Sequence, residues 1–213
     1  MKKRIFQWGG VAASIVLMAF GIGSFVIGMQ GRSQVQDKLS QEYIVGTPDM
    51  TPAAIKTEAQ QAGLPASISL PTESVAGQKI DTGAEAKVFA EYMRIHALEA
   101  TGGKTYAQMG RYLTASGKDT NDVAQAAKDP KTGQPVSNGA RDTWVTETAL
   151  STALNTSFFA EQVALFSMVM GIALLLTGIG FFILTLGGAL GEFTVRKPKE
   201  AANTKLLSAG SGV

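Results

Sequence analysis

Cysteine is absent from this chain of 213 residues, and histidine occurs only once. The lack of cysteine excludes disulfide bonds, thiol catalysis and thiolate metal sites. A single histidine argues against most first-row metal sites and most histidine-dependent catalysis. The chain also has no Gly-x-Ser-x-Gly motif, no paired acidic cluster and no basic stripe suited to nucleic acid. The sequence therefore predicts no catalytic residue, no cofactor, no metal and no nucleic-acid partner.

Charged residues are missing from two long segments, residues 5–31 and 163–191, which are 27 and 29 residues long. Because a helix rises 1.5 Å per residue, roughly 20 residues cross the hydrocarbon core of a bilayer. Both segments are therefore predicted to be transmembrane helices. An ionisable residue inside a span would have suggested a proton or ion path. Its absence argues against a transporter that acts alone.

The first apolar segment has two interpretations, an uncleaved signal anchor or a cleaved signal peptide. A signal peptide needs an apolar core of about 7–15 residues and an Ala-x-Ala-like cleavage site. This segment is longer, and no such site follows it. Phe6 and Trp8 lie where the aromatic belt of a membrane helix is expected. The sequence favours the signal anchor.

The distribution of charge predicts the orientation. The flanks outside the two apolar segments hold seven Lys and Arg residues against two Glu residues, whereas Arg32 to Glu161 holds 12 Lys and Arg against 15 Asp and Glu. Short segments rich in Lys and Arg stay in the cytoplasm. We therefore expect a two-pass protein of the plasma (inner) membrane, with both termini cytoplasmic and the central region extracytoplasmic.

The predicted fold class is an all-α membrane protein, in which two transmembrane helices are joined by a small helical extracytoplasmic domain. The second helix is expected to be long and continuous with that domain. The predicted boundaries are a cytoplasmic N-terminus (1–4), transmembrane helix 1 (5–31), an extracytoplasmic, mostly helical domain with loops (32–140), the extracytoplasmic part of the long helix (141–162), transmembrane helix 2 (163–191) and a cytoplasmic disordered tail (192–213).

Helix start and stop residues divide the central region. Thr51 and Pro52 are typical of an N-cap and first helical position, and Gly63 ends that helix. Asp81 or Thr82 is expected to cap a second helix, in which Val88, Tyr92, Ile95 and Leu98 form an apolar stripe.

The other pieces of the central region are short. Thr105 is expected to open a short helix with the sequence YAQMGRYL, and Ser67–Leu70 is a candidate extended segment. Residues 115–139 are polar and rich in turn residues. A loop or a marginal helix is expected at Val123–Lys128.

The long helix is predicted to begin after Asn138 or Gly139, either of which can serve as its cap. No proline or glycine interrupts residues 140–170. Leu150, Leu154 and Phe158 fall four residues apart, so this face is expected to pack against the helix that contains Val88–Leu98.

Small residues recur along both apolar segments and are candidate interface positions. Small side chains let helices approach closely in lipid, where there is no hydrophobic drive between them. Glycine is also commoner in membrane helices generally, so two interpretations stay open. The candidates on the first segment are Ala19, Gly23, Ser24 and Gly28, and those on the second are Gly171, Gly178, Gly187 and Gly191.

The face from Trp144 to Phe159 also has two interpretations. It either forms the core of the small external domain or stays partly exposed to receive another membrane subunit. The many Ser and Thr residues in this stretch suit a helix surface that is closely packed by other protein. The candidate interface residues are Trp144, Leu150, Leu154 and Phe158.

Two short patterns are explained without a ligand. Thr101–Thr105 resembles the end of a phosphate-binding loop, but Leu98 stands where the first glycine is needed. A helix C-cap followed by an N-cap explains the same residues. His96 has Glu99 and Tyr92 near it on a helix, which is at most half a metal site, and we expect a structural or solvated histidine.

Two stretches carry a family resemblance: Ile95–Met109, IHALEATGGKTYAQM, and Arg141–Leu190. They resemble a family of small two-pass membrane proteins of actinobacteria, whose members have sometimes carried the label of an aromatic ring-opening dioxygenase. Such a non-haem iron enzyme needs about two histidines and a carboxylate. This chain has one histidine, so the enzyme interpretation is rejected.

These observations lead to one main functional expectation and two alternatives. The first is a non-catalytic accessory or scaffold subunit of a multi-subunit actinobacterial cell-envelope complex, whose partners are integral membrane subunits and the lipid bilayer. By analogy, a lipid transport complex of the mammalian-cell-entry (Mce) type is favoured. The alternatives are an accessory subunit of a respiratory supercomplex and a stand-alone envelope sensor or ligand-binding membrane protein.

Overall fold

The computed structural model describes residues 2–187. Its helices are α1 (Lys2–Gln41), α2 (Pro52–Gln61), α3 (Gly83–Ala100) and α4 (Gly139–Leu186), and its two short strands are β1 (Tyr112–Leu113) and β2 (Asp119–Thr120). The fold is mostly helical, as the sequence predicts. Gly191 and the predicted cytoplasmic tail lie outside the described residues.

Helices α1 and α4 are both long and apolar enough to cross a membrane. A core helix of a soluble protein would be mostly buried. Here only 11% of the most apolar window of α1 and 17% of that of α4 is buried. So many exposed apolar side chains need a lipid environment or a protein partner. The described chain therefore has two candidate membrane-spanning helices, which are compatible with a membrane protein.

The chain divides into two compact units. The first comprises Met1–Ile22 and Ile172–Val213, of which the structure describes residues 2–22 and 172–187. In it α1 and α4 run antiparallel: a Cβ added to Gly10 would meet the Thr185 hydroxyl at 2.6 Å, and one added to Gly178 would meet the Ser14 carbonyl oxygen at 3.1 Å. The two backbones are therefore close where a glycine leaves room.

The second unit is Gly23–Gly171. In it α1 and α4 are again antiparallel, with Gly28 against the backbone of Ala164 and Met168. Helix α1 is longer than the predicted span of residues 5–31, since it continues to Gln41. The added stretch has no glycine or proline after residue 31, and Leu39 is buried in the core.

Side-chain caps begin the two shorter helices, as predicted. The Thr51 hydroxyl accepts a hydrogen bond from the Ala54 N–H at 3.2 Å, and Pro52 follows it. Thr82, the second of the two predicted candidates, caps α3 and forms a capping box with Glu85. Each cap satisfies a backbone donor that has no partner within its own helix.

The core of the second unit lies between α3 and its neighbours. Tyr92 and Ile95 are fully buried, and the Tyr92 hydroxyl donates to the Glu73 carbonyl oxygen at 2.8 Å. Burial raises the pKa of the Tyr92 hydroxyl above its usual range. The other buried apolar residues that pack here are Leu39, Met50, Ile55, Ala59, Val75, Ile80, Ala86, Ala90, Ala97, Leu98, Met109, Trp144 and Leu154.

The region after α3 differs from the prediction. A 3₁₀ turn covers only Tyr106–Gln108, and the chain then enters the β1–β2 hairpin, in which Tyr112 pairs with Thr120. The predicted helix YAQMGRYL is therefore wrong beyond Gln108. A Cβ on Gly110 would collide with the Thr120 N atom, so the hairpin brings the two backbones together. This close approach and the antiparallel pairing hold Tyr112 and Leu113 extended.

Of the two structures expected for Val123–Lys128, a loop or a marginal helix, the loop is found. The segment is turn and bend, and an isolated bridge joins Lys128 to Pro135. Ser67–Leu70 is not a strand; the bridges of that region instead join Val45 to Lys79 and Gly46 to Ala76.

Helix α4 begins at Gly139 and is one continuous helix of 48 residues. The Asn138 side chain accepts a hydrogen bond from the Ala140 N–H at 3.1 Å, and its amide group donates to the Gly110 carbonyl oxygen at 3.0 Å. Asn138 therefore both opens the long helix and fastens it to the hairpin region.

Candidate functional site

Three ionisable side chains from three parts of the second unit meet at His96. His96 lies on α3, Glu58 on α2 and Asp49 in the loop that precedes α2. Asp49 Oδ2 is 3.7 Å from His96 Nε2, and Glu58 Oε2 is 3.9 Å from His96 Nδ1. One ligand atom from each residue lies within 4.8 Å of the others. An imidazole and two carboxylates are therefore gathered in one place.

Two atoms of this cluster lack a polar partner among the described residues. Glu58 Oε2 and His96 Nε2 are inaccessible to solvent and make no hydrogen bond. The side chains as a whole are 25% and 32% exposed, so only their polar tips are covered. A buried polar atom without a partner is destabilising.

The third member, Asp49, is held in its charged form. A hydrogen bond from the Thr47 side chain lowers the pKa of the Asp49 carboxyl, against desolvation, which raises it. At neutral pH the cluster therefore holds an ionised carboxylate next to the imidazole.

A cleft of about 770 Å³ opens beside this cluster. Asp49 and His96 form part of one wall, and Asp142, Thr146 and Glu147 of α4 lie on the other side. The cleft is acidic, because three of its lining residues are carboxylates and none is Lys or Arg.

Glu147 connects α4 to α3 at the edge of this cleft. The residue is 5% exposed, and its Oε2 accepts a hydrogen bond from Arg94 Nη1 at 3.2 Å. The Ser151 hydroxyl donates to the other carboxylate oxygen at 2.7 Å. The Arg94 guanidinium also lies over the Trp144 ring, 3.9 Å from its centroid. Glu147 is therefore a satisfied structural carboxylate.

Glu161 makes a second such connection, at the level where the predicted spans end. It is 4% exposed and accepts from Arg32 Nε at 3.2 Å and from the Gly83 N–H at 2.7 Å. Gly83 is the first residue of α3, where the helix dipole favours negative charge. One carboxylate thus joins α1, α3 and α4.

An uncharged stripe remains exposed along α4. Its members are separated alternately by four and three residues, which places them on one face of a helix. Every one of them is exposed: Val145, Ala149, Thr152, Thr156, Phe159, Val163, Phe166 and Met170. We call this set the α4 stripe. None of it contributes to the core of the second unit.

The predicted glycine positions differ in what they contact. Gly28 and Gly178 lie against the facing helix within their units. Gly171 is buried and Ala19 is exposed, and Ser24 is partly exposed. Among residues 2–187, nothing lies within 4 Å of a Cβ added to Gly23, and a Cβ added to Gly187 meets only the carbonyl oxygens of Ile183 and Leu184.

The predicted positions on the Trp144–Phe159 face also divide. Trp144 and Leu154 are buried at 6% and 5% exposure and belong to the core. Phe158 is partly buried, and the Lys87 ammonium lies 5.4 Å from the centroid of its ring. Leu150 is 49% exposed. The face therefore contributes both to the core and to the open surface.

An apolar groove of about 500 Å³ lies next to Leu150. Its apolar lining includes Ile44, Phe89, Met93 and Leu154, and its polar lining is Lys38, Glu42 and Ser157. A groove of this size and lining is typical of sites for small apolar ligands.

The sequence does not predict the cluster at His96, because along the chain only Glu99 and Tyr92 lie near this histidine on one helix. Glu58 and Asp49 are 38 and 47 positions away, and only the packing of α2 on α3 brings them near. The one usable indication in the sequence is the prediction of α2 and α3 as neighbouring amphipathic helices, because such helices bury the residues that face each other. Thr101–Thr105, in contrast, is a helix C-cap as expected, with Gly102 and Gly103 at positive φ.

Comparison with known protein families, curated proteins and solved structures finds no match for this chain.

Proposed function

We propose that this protein is a non-catalytic accessory or scaffold subunit of a multi-subunit cell-envelope membrane complex, to which it presents α4. The observation that carries the proposal is the exposed α4 stripe. From Val145 to Met170 it covers 26 residues, about 38 Å at 1.5 Å per residue. Its upper part, Val145 to Phe159, precedes the predicted span, so lipid does not cover it.

The chemistry of the stripe suits burial under another helix. The Thr152 and Thr156 hydroxyls donate to the carbonyl oxygens of Thr148 and Thr152, both at 2.7 Å. Their donors are therefore already satisfied, and covering them leaves no unpaired polar hydrogen. Val145 and Phe159 are 53% and 67% exposed, which is costly for side chains in water.

The expected occupant is a helix of another membrane subunit that also continues beyond the bilayer. The alternating spacing of three and four is the pattern that a second helix matches by knobs-into-holes packing. The stripe runs without a charge from the external stretch into the predicted span. A partner that follows it therefore needs an apolar face in both environments.

The orientation belongs to the same proposal. The excess of Lys and Arg outside the two spans supports cytoplasmic termini and an extracytoplasmic central region in the plasma membrane. The Arg32–Glu161 pair supports a common boundary, because it lies directly after the first predicted span and before the second.

The identity of the complex rests on analogy. A lipid importer of the mammalian-cell-entry type is the favoured assembly, and a respiratory supercomplex is the alternative. The apolar groove beside Leu150 favours one further candidate, a ligand-binding membrane protein that takes an apolar molecule there.

Site-specific photo-crosslinking at native expression level tests the proposal. A photoreactive residue at Val145 or Phe159 is expected to capture another membrane subunit, which mass spectrometry then identifies. Thr146 and Ala153 are the matched controls, because they are exposed on the same helix but outside the stripe. Capture at the stripe positions alone supports an accessory subunit. Equal capture at all four positions, capture of a second copy of the chain, or no capture contradicts it.

A further inference from the structure

We propose that Asp49, Glu58 and His96 form a binding site for a divalent transition-metal ion of the Zn²⁺ type. The donor set is one imidazole nitrogen and two carboxylate oxygens, which are ligands that Zn²⁺ accepts. The inference does not depend on the proposed accessory role, because it concerns residues outside the α4 stripe.

The three side chains need to move only a short distance to coordinate an ion. Zn²⁺ bonds of about 2.0–2.2 Å place tetrahedral ligand atoms about 3.4 Å apart. Asp49 Oδ2 lies 3.7 Å from His96 Nε2, Glu58 Oε2 lies 3.9 Å from His96 Nδ1, and one ligand atom from each of the three residues lies within 4.8 Å of the others. Side-chain rotations that move the ligand atoms by about 1 Å therefore bring them to the distances of a bound ion.

The two unpartnered atoms are the independent observation that points to a ligand. Glu58 Oε2 and His96 Nε2 are buried and make no hydrogen bond within the described chain. A protonated imidazole between the carboxylates does not satisfy them, since N···O distances of 3.7 and 3.9 Å exceed hydrogen-bond length. A cation coordinated by both atoms satisfies them at once.

The position of the cluster predicts an open coordination site. Three protein ligands leave a fourth position for water or for a group from outside. Asp49 and His96 face the acidic cleft of about 770 Å³, so an ion can enter and exchange from the solvent. The bound ion also links the loop before α2, α2 itself and α3. Metal binding is therefore expected to stabilise the second unit as well.

Metal titration of the full chain in detergent, purified without a histidine tag, tests the inference. The probes are ZnCl₂ followed by calorimetry and CoCl₂ followed by visible absorption. The expected result is one equivalent of Zn²⁺ bound at micromolar or tighter affinity, with Co²⁺ bands in the visible range. D49N, E58Q and H96A are each expected to weaken binding at least tenfold.

Two controls keep the test independent of folding. E99Q removes an exposed carboxylate three residues from His96 and is expected to leave binding unchanged. E58Q is nearly isosteric, and its metal-free thermal unfolding is expected to match that of the unaltered chain. No saturable Zn²⁺ binding overturns the inference. Binding that survives H96A, or that E99Q weakens as much as E58Q does, also overturns it.

Discussion

Glu161 is the residue on which the connection between α1, α3 and α4 depends. Its carboxylate is buried and receives two donors, Arg32 and the Gly83 N–H. Arg32 is 45% exposed, so solvent screens its contribution. The hydrogen bond to the Gly83 N–H is the more valuable one, because that donor is buried at a helix start and has no other partner in its own helix.

E161A is therefore expected to lower the free energy of unfolding by about 2 kcal/mol, the worth of a hydrogen bond to a charged group. Thermal unfolding in detergent, followed by circular dichroism, measures the change. Q162A alters the exposed neighbouring residue and is expected to have little effect. Equal unfolding midpoints for the two variants would show that Glu161 does not hold the helices together.

Gly23 and Gly28 lie on the same helix, but their substitution by alanine is expected to have opposite effects on stability. A Cβ on Gly28 would lie 2.6 Å from the Ala164 carbonyl oxygen and 2.9 Å from the Met168 N atom, whereas a Cβ on Gly23 meets nothing within 4 Å in the part of the chain that the structure describes. G28A is expected to force α1 and α4 apart and to destabilise the protein by about 1–3 kcal/mol, as overpacking does.

G23A is the matched control and is expected to be neutral or slightly stabilising, because alanine favours a helix more than glycine does. Thermal unfolding of both variants in the same detergent compares them. If G28A unfolds at the same temperature as G23A, or at a higher one, close packing of α1 on α4 at Gly28 is refuted.

The stability of the hairpin is expected to depend on pH through the Asp119 carboxyl. The Gly110 N–H and then the Lys104 ammonium lower the pKa of the Asp119 carboxyl. A depressed pKa means that its stabilisation is complete above the unfolded-state value of about 3.9 and is lost as the pH falls through the folded-state value. We expect the Gly110 amide resonance to shift on acidification in this range, and D119N to abolish that shift. A Gly110 resonance that moves equally in D119N would contradict this origin.

At the scale of the helices, local residues predict starts better than ends. Thr51, Thr82 and Asn138 each act where the sequence places a cap, because capping depends on neighbours within about three positions. No local residue marks the end of α1 at Gln41: the uncharged run stops at Gly31, and no glycine or proline lies between Arg32 and Gln41.

T82A tests the value of such a cap. The Thr82 hydroxyl accepts from the Glu85 N–H at 3.3 Å, and its loss is expected to cost about 1 kcal/mol of stability. T57A makes the same substitution inside α2, where the exposed hydroxyl only bonds back to Ala53, and is expected to be neutral. Denaturant unfolding in mixed micelles measures both. A cost for T57A as large as that for T82A would contradict the capping role.

The hairpin and the His96 cluster escaped prediction for a shared reason. Strands of two residues have too little alternation to be recognised. Tyr112 is held by Thr120 and by a bridge to Ser137, and His96 by the approach of Glu58 and Asp49. The bridge to Ser137 and the His96 cluster both come from contacts between segments that are distant in sequence, which composition and periodicity do not report.

At the scale of the whole molecule, the account depends on α1 and α4 crossing a membrane with the central region on its outer side. The two apolar helices support the crossing, and the distribution of Lys and Arg supports the orientation. The α4 stripe acquires its proposed role only in that setting, because its upper part then lies in water.

Cysteine labelling tests this claim most directly, since the chain has no cysteine of its own. Single variants A115C, at an exposed position in the central region, and K3C, near the N-terminus, are treated in intact cells with a membrane-impermeant maleimide. The account predicts that A115C is labelled in intact cells and K3C only after lysis. Labelling of K3C in intact cells, or labelling of A115C only after lysis, would contradict it.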